Sequence, residues 1–272
     1  MKLQGGESET PTHSDIPNDP YLSALYALAY SQLADMLGNT QHDRVLEVGS
    51  GLGLARLSGQ QWLHSDVAGA APLSVLNQAQ QLPYKSGSLD ALVLKDTWHH
   101  IPEIEHFLEE AHRVLRPGGV IAVFDPYWGT LARFVYRFLH QERWDANTST
   151  WSFASSDPWD SNQALSYLML ERDRSVFDQR WGSRFSVIEP RAMIGPSFLI
   201  SGGVSRRTFV SGRLLASLLR WEERRGRWFN HLRFFHVFGL VKKRSSSAAI
   251  SLANSLDFSM GLPTRRRAVL CV

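Results

Sequence analysis

Residues 45–53 combine one acidic side chain with three glycines at alternating positions. The apolar residues at the start of this stretch predict a short buried strand, which the glycines end abruptly. Glycine allows positive φ and lets a ligand approach the backbone where a Cβ would otherwise stand. Glu47 precedes the first glycine by two residues, and its charge suits a ligand that carries an ammonium or sulfonium group. The glycines are Gly49, Gly51 and Gly53.

The glycine spacing distinguishes between two classes of nucleotide-binding turn. A dinucleotide-binding turn has the pattern Gly-x-Gly-x-x-Gly, and its backbone faces a pyrophosphate. In this chain Leu54 occupies the position of the third dinucleotide glycine, and Glu47 would repel a pyrophosphate. An NAD(P)-dependent oxidoreductase, which also uses a glycine turn and an acid after the second strand, is therefore the less favoured alternative.

A second acidic residue follows the next predicted strand. Residues 62–67 predict that strand, and Asp66 lies near its end, 19 residues after Glu47. A carboxylate at the carboxyl end of a strand can accept hydrogen bonds from ribose hydroxyls. Asp66 is therefore a candidate ligand for the ribose of a nucleoside.

The glycine turn and Asp66 resemble motif I and the following acid of the class I S-adenosylmethionine-dependent methyltransferases, in a methyltransferase type 11-like form. Residues 78–84, Gln-Ala-Gln-Gln-Leu-Pro-Tyr, are similar to the stretch that contacts adenine in this family, with Gln78 in place of the usual acid. Residues 97–102, Thr-Trp-His-His-Ile-Pro, are similar to its His-His-x-Pro turn. The resemblance covers residues 43–126 in order and spacing.

The resemblance implies S-adenosyl-L-methionine as the cofactor and methyl transfer to a small-molecule, sugar or lipid-linked acceptor. No metal-binding residues are predicted. The implied cofactor-binding residues are Glu47, Gly49, Ser50, Gly51, Gly53, Asp66, Gln78, Ala79 and Lys95.

The implied fold is α/β: a Rossmann-like doubly wound sheet of seven strands with an antiparallel last strand. The aromatic-rich segment 127–175 is predicted to be a helical insertion on the substrate side after strand five. The methyltransferase domain is expected to span residues 20–244, between a disordered tail at 1–19 and a loosely attached tail at 245–272. Further strands are predicted at 88–96, 120–124, 185–188 and 237–241, and helices at 20–37 and 105–115.

His99 and His100 are the candidate catalytic residues, because they follow the fourth strand at its cofactor-facing end. A general base would accelerate transfer to an alcohol or phenol by roughly 10²–10⁴-fold. The sequence does not separate the two histidines, and the pair also fits a role in shaping the pocket. The Asn/Asp-Pro-Pro-aromatic motif of some amine methyltransferases is absent near Lys95 and Asp96, which disfavours methylation of DNA adenine or protein glutamine.

Composition excludes several classes of protein. The only cysteine is Cys271, so a disulfide framework and a cysteine-based metal cluster are excluded. No apolar run approaches the ~20 residues that span a bilayer, and the first residues lack the basic-then-apolar pattern of a signal peptide. These features predict a soluble cytoplasmic protein without a transmembrane helix.

Charge is divided unevenly between the two halves of the chain. Residues 1–128 contain 7 Lys/Arg and 15 Asp/Glu, whereas residues 129–272 contain 22 and 11. Residues 206–244 hold eleven of these basic residues, interleaved with aromatic and aliphatic side chains, and predict a basic amphipathic helix. Such a segment fits a solvated helix, an anionic substrate or peripheral contact with an anionic membrane. Nucleic acid is disfavoured as a partner because no zinc-binding or RNA-binding motif accompanies the arginines.

An inactive methyltransferase-like scaffold is the remaining alternative. The segment from Leu54 to Leu63 is short for the helix that the family places there, which favours a scaffold. The intact glycine turn and Asp66 favour an enzyme, because a scaffold needs no ligand-binding turn.

Overall fold

The computed structural model describes residues 18–38, 42–51, 53–55, 59–67, 75–140, 142–157, 159–203 and 209–244. The tails predicted at 1–19 and 245–272 lie outside these residues, apart from Asn18 and Asp19. The predicted domain boundaries therefore stay predictions.

One seven-stranded sheet organises the chain, with strand order β3-β2-β1-β4-β5-β7-β6. Neighbours from β3 to β5 pair in parallel, whereas β7 pairs antiparallel with both β5 and β6. The predicted doubly wound sheet with an antiparallel last strand is confirmed. The strands are β1 (Val45–Val48), β2 (Leu63–Asp66), β3 (Val75–Leu76), β4 (Leu89–Lys95), β5 (Leu115–Pro126), β6 (Phe185–Met193) and β7 (Phe235–Lys242).

Both faces of the sheet are buried, because successive residues of the central strands enter opposite cores. Leu92 and Leu94 of β4 pack in one apolar cluster, whereas Ala91 and Val93 pack in the other. A parallel sheet covered on both faces needs such near-continuous apolar strands. Strand order and burial together bring the carboxyl ends of β1, β2, β4 and β5 to one edge, where ligands bind in open α/β sheets.

Helix α1 (Pro20–Leu37) begins and ends at the residues that the sequence indicates. The Asp19 carboxylate accepts hydrogen bonds from the amides of Tyr21 and Leu22, and Pro20 fills the first turn, where no amide donor is needed. Gly38 ends the helix with φ of 74°, which glycine adopts readily.

Further helices cover the two faces. Helix α2 (Ile104–Val114) packs with Trp98 against one face, and α1 packs with α7 (Gly212–Glu223) against the other. The short remaining helices are α3 (Thr130–Phe138), α4 (Leu165–Tyr167, continued by a π-turn at Leu168–Arg172), α5 (Arg174–Trp181) and α6 (Pro196–Ile200).

The structure corrects the predicted start of strand five. Residues 116–119 were expected to form a turn between the helix and a strand at 120–124, but β5 already begins at Leu115. The pairing of β4 with β5 shifts register between Leu89 and Ala91 of β4. This shift accommodates Gly118 and Gly119 of β5, as a β-bulge does. The last two strands are likewise longer than predicted, because pairing between β6 and β7 resumes after an irregularity between Ile188 and Arg191.

The basic amphipathic helix predicted within residues 206–244 is present as α7, which buries Leu215 and Leu219 and exposes Arg213 and Arg220. The described part of this segment divides into α7, a 3₁₀ turn (Arg227–Leu232) and β7. Gly226 starts the 3₁₀ turn, and buried Arg233 ends it through hydrogen bonds to the Glu223 carboxylate and the backbone carbonyls of Glu222 and Arg225. The strand predicted at 237–241 lies within β7 and is confirmed.

The predicted insertion after strand five is helical only at its two ends. Between α3 and α4 the described residues 142–157 and 159–164 have no regular secondary structure. Backbone hydrogen bonds attach this stretch to the turn after β4, from the Asn162 amide to the His99 carbonyl (2.9 Å) and from the Phe153 amide to the Pro102 carbonyl (3.1 Å).

Candidate active site at the carboxyl edge of the sheet

The glycine turn after β1 is held by the neighbouring strand ends. The Gly51 amide donates to Asp66 Oδ2 over 2.8 Å, and the Ser50 amide donates to the Ser65 carbonyl over 3.0 Å. On the other side, Thr97 Oγ1 donates to the Gly49 carbonyl over 3.2 Å. The fold thus joins the turn, Asp66 and the segment after β4.

All three glycines of the turn have positive φ, with values of 69°, 49° and 65° for Gly49, Gly51 and Gly53. At Gly49 a Cβ would lie 2.3 Å from the Thr97 side chain, so packing as well as φ requires glycine. At Gly51 no atom of the described residues lies within 4 Å of the position that a Cβ would take. The turn therefore leaves open space beside Gly51.

Ser50 supplies an unused polar group beside this space. Its hydroxyl is buried and has no hydrogen-bond partner among the residues that the structure describes. Buried hydroxyls are normally paired, because leaving one unpaired costs about 1–3 kcal/mol. A polar ligand at the turn would satisfy this group.

Glu47 lies beneath the turn and is almost fully buried. Tyr30 Oη donates to Glu47 Oε1 over 2.8 Å, and His64 Nδ1 lies 2.9 Å from Glu47 Oε2. Helix α1 thus covers the site through Tyr30. Glu47 places negative charge near the turn, but both its oxygens are engaged within the protein.

The two residues predicted to contact adenine have different surroundings. Gln78 is exposed and lines an open groove of about 540 Å³, which it shares with Leu82, Pro83 and Arg113. Ala79 is buried in the apolar core. The Asn77 amide donates to the Asp66 carbonyl over 3.0 Å, which brings the chain leading to Gln78 next to the candidate ribose ligand.

Lys95 ends β4 under a cover of acidic and aromatic groups. Its Nζ lies 2.5 Å from Asp96 Oδ2 and 4.4 Å from the centre of the Tyr26 ring. Burial lowers the pKa of Lys95, but the Asp96 carboxylate more than offsets this and raises it above its usual value. Asp96 has φ of 52°, unusual for a residue with a side chain. Such strain occurs most often at functional sites.

His99 is buried between two carboxylates. Its Nδ1 lies 2.7 Å from Asp125 Oδ1, and its Nε2 lies 3.3 Å from Glu142 Oε2. Burial lowers the pKa of His99, but the Asp125 and Glu142 carboxylates raise it well above its usual value. When no other cation is bound, both ring nitrogens of His99 therefore carry protons at neutral pH. The ring then has no lone pair that could accept a further proton.

His100 has the opposite electrostatic character. Burial and the neighbouring charge of His99 lower the pKa of His100 to about 4, so the ring is neutral at pH 7. Its Nδ1 lies 3.2 Å from the Asp160 carbonyl, which can only accept a hydrogen bond. The proton therefore resides on Nδ1, and Nε2 retains its lone pair. The structure thus distinguishes two histidines that the sequence left equivalent.

Several half-buried aromatic rings lie beyond β5, in the predicted insertion. Trp128 contacts Tyr167 and Tyr127, with ring centroids 6.0 and 4.8 Å apart, and Trp144 contacts Tyr136 at 5.7 Å. Within this segment Tyr136 and Trp151 are buried, whereas Phe134, Phe138 and Trp159 are exposed. Trp128, Trp144 and Tyr167 are half-buried and pack against the apolar core.

Four residues at this edge received no role from the sequence: Tyr30, Asp96, Asp125 and Glu142. Asp125 ends strand five, so its position in the sequence could have identified it as a residue at the carboxyl edge of the sheet. Tyr30 reaches the edge from α1, which precedes β1, and Glu142 reaches it from an irregular segment. No local pattern marks such residues.

Residues 46–123 match the family model described as a methyltransferase domain. This stretch of the chain is therefore similar to a class I methyltransferase domain. The matched residues run from β1 into β5 and contain the glycine turn, Asp66 and both histidines. S-adenosylmethionine is the cofactor of this class.

A curated relative shares a short part of this domain. It is the 27-O-demethylrifamycin SV methyltransferase of Amycolatopsis mediterranei (strain S699), which is 43% identical over 47 residues. The matched stretch spans 17% of this chain and 17% of the relative.

Solved structures similar to this chain include two bacterial proteins. The YcgJ protein of Bacillus subtilis is 14% identical, with a TM-score of 0.47 over 79% of this chain and 100% of its own. The geranyl diphosphate C-methyltransferase of Streptomyces coelicolor A3(2), in complex with Mg²⁺, geranyl diphosphate and S-adenosyl-L-homocysteine, is 13% identical. Its TM-score is 0.45 over 82% of this chain and 80% of its own.

The residues of the turn fit the cofactor of the methyltransferase domain. The open space beside Gly51 and the unpartnered Ser50 hydroxyl provide room and a hydrogen-bonding group. The Asp66 carboxylate stands at the strand end where ribose hydroxyls are bound in such folds. Within the described residues, no helix is long and apolar enough to cross a membrane.

Proposed function

We propose that the chain transfers a methyl group from S-adenosylmethionine to a small-molecule acceptor. The glycine turn is the main support for the proposal. Its three glycines stand at alternate positions with positive φ, and the Gly51 amide donates to Asp66. The buried Ser50 hydroxyl beside them has no partner among the described residues. The match of residues 46–123 to the methyltransferase domain supports it. The cofactor supplies an electrophilic methyl group on a sulfonium, which leaves as a neutral thioether.

The chemistry requires little of the protein beyond positioning. Gly51 and Ser50 bind the amino-acid end of the cofactor, Asp66 the ribose, and Gln78 the face of the adenine. Holding the acceptor in line with the methyl group at near-attack distance supplies ~7–11 kcal/mol of the barrier. The half-buried rings of Trp128, Trp144 and neighbouring residues would form the acceptor side of the site.

His100 is the candidate general base when the acceptor is a hydroxyl. Its Nε2 lone pair accepts the acceptor proton as the new bond to the methyl carbon forms. His99 acts instead as a positioning residue, because its ring pairs with Asp125 and Glu142. We therefore assign the proposed general base to His100 alone.

The acceptor is further proposed to be presented at an anionic lipid surface. Exposed apolar and basic side chains from α3, α7 and the following 3₁₀ turn form one rim at the carboxyl edge of the sheet. Thr130 Oγ1 lies 3.3 Å from His231 Nδ1, so α3 and the 3₁₀ turn are contiguous. The basic–aromatic rim consists of Arg133, Phe134, Arg137, Phe138, Arg220, Trp221, Arg224, Arg227 and Trp228.

The rim has the composition of an interfacial membrane contact. Phe134, Phe138 and Trp228 are 55%, 63% and 68% exposed, and arginines flank them. Aromatic side chains favour the headgroup region, and each nearby Arg adds about 1 kcal/mol of attraction to an anionic surface. This location would deliver an amphiphilic or lipid-linked acceptor to the site.

Two measurements test the proposed function. Calorimetric titration with S-adenosylhomocysteine is expected to give one binding site per chain. Incubation with isotopically labelled S-adenosylmethionine and cell extract should then label one class of small molecule, separated by chromatography. Tight binding of S-adenosylhomocysteine without transfer to any acceptor would favour the inactive scaffold, and binding of NADH instead would favour the oxidoreductase.

A further inference from the structure

His99, His100 and Glu142 form a cluster that methyl transfer itself does not require. One possible ligand atom from each of the three residues lies within 4.8 Å of the other two. The rings of His99 and His100 are 4.3 Å apart between centroids. Two histidines come from the 3₁₀ turn after β4, and the carboxylate comes from the irregular stretch after α3.

We propose that these three residues bind a divalent transition-metal ion of the Zn²⁺ type. Two imidazole nitrogens and one carboxylate are a common ligand set for Zn²⁺ and non-haem Fe²⁺ and leave coordination positions open. Mg²⁺ and Ca²⁺ prefer ligand sets made of oxygen atoms. The nitrogen ligands therefore favour a borderline-soft ion.

The spacing of the ligand atoms fits a tetrahedral ion. His99 Nε2 lies 3.3 Å from Glu142 Oε2. Ligands that are each about 2.0–2.2 Å from zinc are ~3.3–3.5 Å apart in tetrahedral geometry. The third candidate ligand atom, from His100, lies within 4.8 Å of the ligand atoms of the other two residues.

Hydrogen bonds behind the cluster hold both histidines in the tautomer that a metal needs. His99 Nδ1 pairs with the buried Asp125 carboxylate at 2.7 Å, and His100 Nδ1 with the Asp160 carbonyl at 3.2 Å. Ligand histidines in proteins nearly always make such a bond through the nitrogen that does not bind the metal. Both Nε2 atoms therefore belong on the metal side.

Glu142 is oriented by partners of its own. Gln163 Nε2 donates to Glu142 Oε2 over 2.8 Å, and Ser161 Oγ lies 3.4 Å from the same oxygen. Glu142 Oε2 thus faces His99, while the Glu142 side chain remains 34% exposed. Three candidate ligands, with a partner at Nδ1 of each histidine and two more contacts to Glu142 Oε2, exceed what a simple His–Glu ion pair requires.

A bound ion would change the roles of both histidines. It would replace the proton between His99 and Glu142 and occupy the lone pair of His100, because ligands bind in deprotonated form. Base catalysis by His100 and metal binding are therefore mutually exclusive. With the ion bound, an open coordination position would be available to an oxygen atom of the acceptor.

Zinc binding to the purified chain tests the proposal without any methyl-transfer assay. The full chain is treated with a chelator, desalted and titrated calorimetrically with zinc chloride, and Co²⁺ is added separately to record visible absorption. We expect one saturable Zn²⁺ site per chain and the intense absorption of tetrahedral Co²⁺. His100→Ala and Glu142→Gln should each weaken Zn²⁺ binding by at least ~10-fold.

His106→Ala is the matched control, because His106 also pairs with a glutamate, Glu103, at 3.0 Å, but on the exposed surface of α2. It should bind Zn²⁺ like the unmodified chain. Circular dichroism of each variant confirms folding, and the two site variants provide independent tests. No saturable site in the chelator-treated chain, unchanged binding in both site variants, or equal loss in His106→Ala would each overturn the proposal. S-adenosylhomocysteine binding is measured separately, so a failed metal site leaves the proposed methyl transfer intact.

Discussion

The Gly51 amide donates a hydrogen bond to Asp66 Oδ2 over 2.8 Å. This bond joins two residues that are 15 positions apart in the sequence and were both predicted to bind the cofactor. It fixes the glycine turn against the end of β2, so that the carboxylate proposed to bind the ribose also orients the turn. A change at either residue is therefore expected to affect ligand binding before it affects folding.

Gly51→Val should abolish measurable binding of S-adenosylhomocysteine. The new side chain would occupy the open space beside the turn, and φ of 49° is strained for a β-branched residue. The strain alone costs of order 1–3 kcal/mol of stability. Calorimetry measures the binding, and circular dichroism measures the fold.

Gly87→Val is the matched control for strain. Gly87 has φ of 66°, open space around its Cβ position, and lies before β4 at the opposite edge of the sheet. It should lose similar stability but retain cofactor affinity. Unchanged affinity in Gly51→Val would show that the turn does not hold the cofactor.

Asp66→Ala should weaken S-adenosylhomocysteine binding by about 1–3 kcal/mol, because the ribose hydroxyls lose an acceptor and the Gly51 amide loses its partner. Asp66→Asn keeps one acceptor oxygen and should lose less. Asp35→Ala, on the exposed face of α1, controls for the removal of one negative charge. If Asp66→Ala lowers the affinity for S-adenosylhomocysteine by less than about twofold, Asp66 supports the turn but does not bind the ribose.

His236 should make folding stability fall in mild acid. The ring is fully buried on β7, its Nε2 lies 3.1 Å from Ser166 Oγ, and burial lowers the pKa of His236 to about 3. The unfolded chain binds a proton near pH 6.5, whereas the folded chain does not. Stability from this residue is therefore complete above pH 6.5 and declines as the pH falls towards 3.

The expected loss from His236 between pH 7 and pH 5 is about 2 kcal/mol. Urea unfolding at a series of pH values measures it. His236→Gln should flatten this part of the pH profile, whereas His106→Gln, at an exposed histidine, should not. The same slope in both variants would assign the acid sensitivity to other groups.

Reversal of Arg220, Arg224, Arg225 and Arg227 to glutamate should reduce binding to anionic liposomes. Exposed charges act over about one Debye length, ~8 Å at physiological salt, so binding by the unmodified chain should weaken as salt is added. Affinity for S-adenosylhomocysteine should stay unchanged, because the turn lies in the acidic first half of the chain.

The control for this charge reversal changes four basic residues at the other edge of the sheet. Arg44, Lys85, Lys243 and Arg244 precede β1 and β4 or follow β7, and their reversal alters the net charge equally. Liposome binding should then remain largely intact. If both variants lose binding equally, net charge rather than the basic–aromatic rim is responsible.

The sequence by itself determined six of the seven strands of the sheet, all but β3, and the helices α1 and α2. Apolar runs mark β1 and β4, and Asp66 marks the end of β2, because a buried strand and a tight turn impose strong local preferences. The bounds of α1 follow from Asp19, Pro20 and Gly38 for the same reason. The cofactor was predicted from local residues too, since the glycine turn lies within nine positions.

Only the tertiary structure decided which charged groups share one environment. Asp125 and Glu142 reach His99 from β5 and from an irregular stretch, and Tyr30 reaches Glu47 from α1. These contacts separate the chemistry of His99 from that of His100, although the two are adjacent in sequence. The helix of the basic segment ends at Glu223, where buried Arg233 pairs with the Glu223 carboxylate and the Glu222 carbonyl, and no local pattern marks that end. Burial depends on the whole sheet, and electrostatic character depends on burial, so neither follows from local sequence.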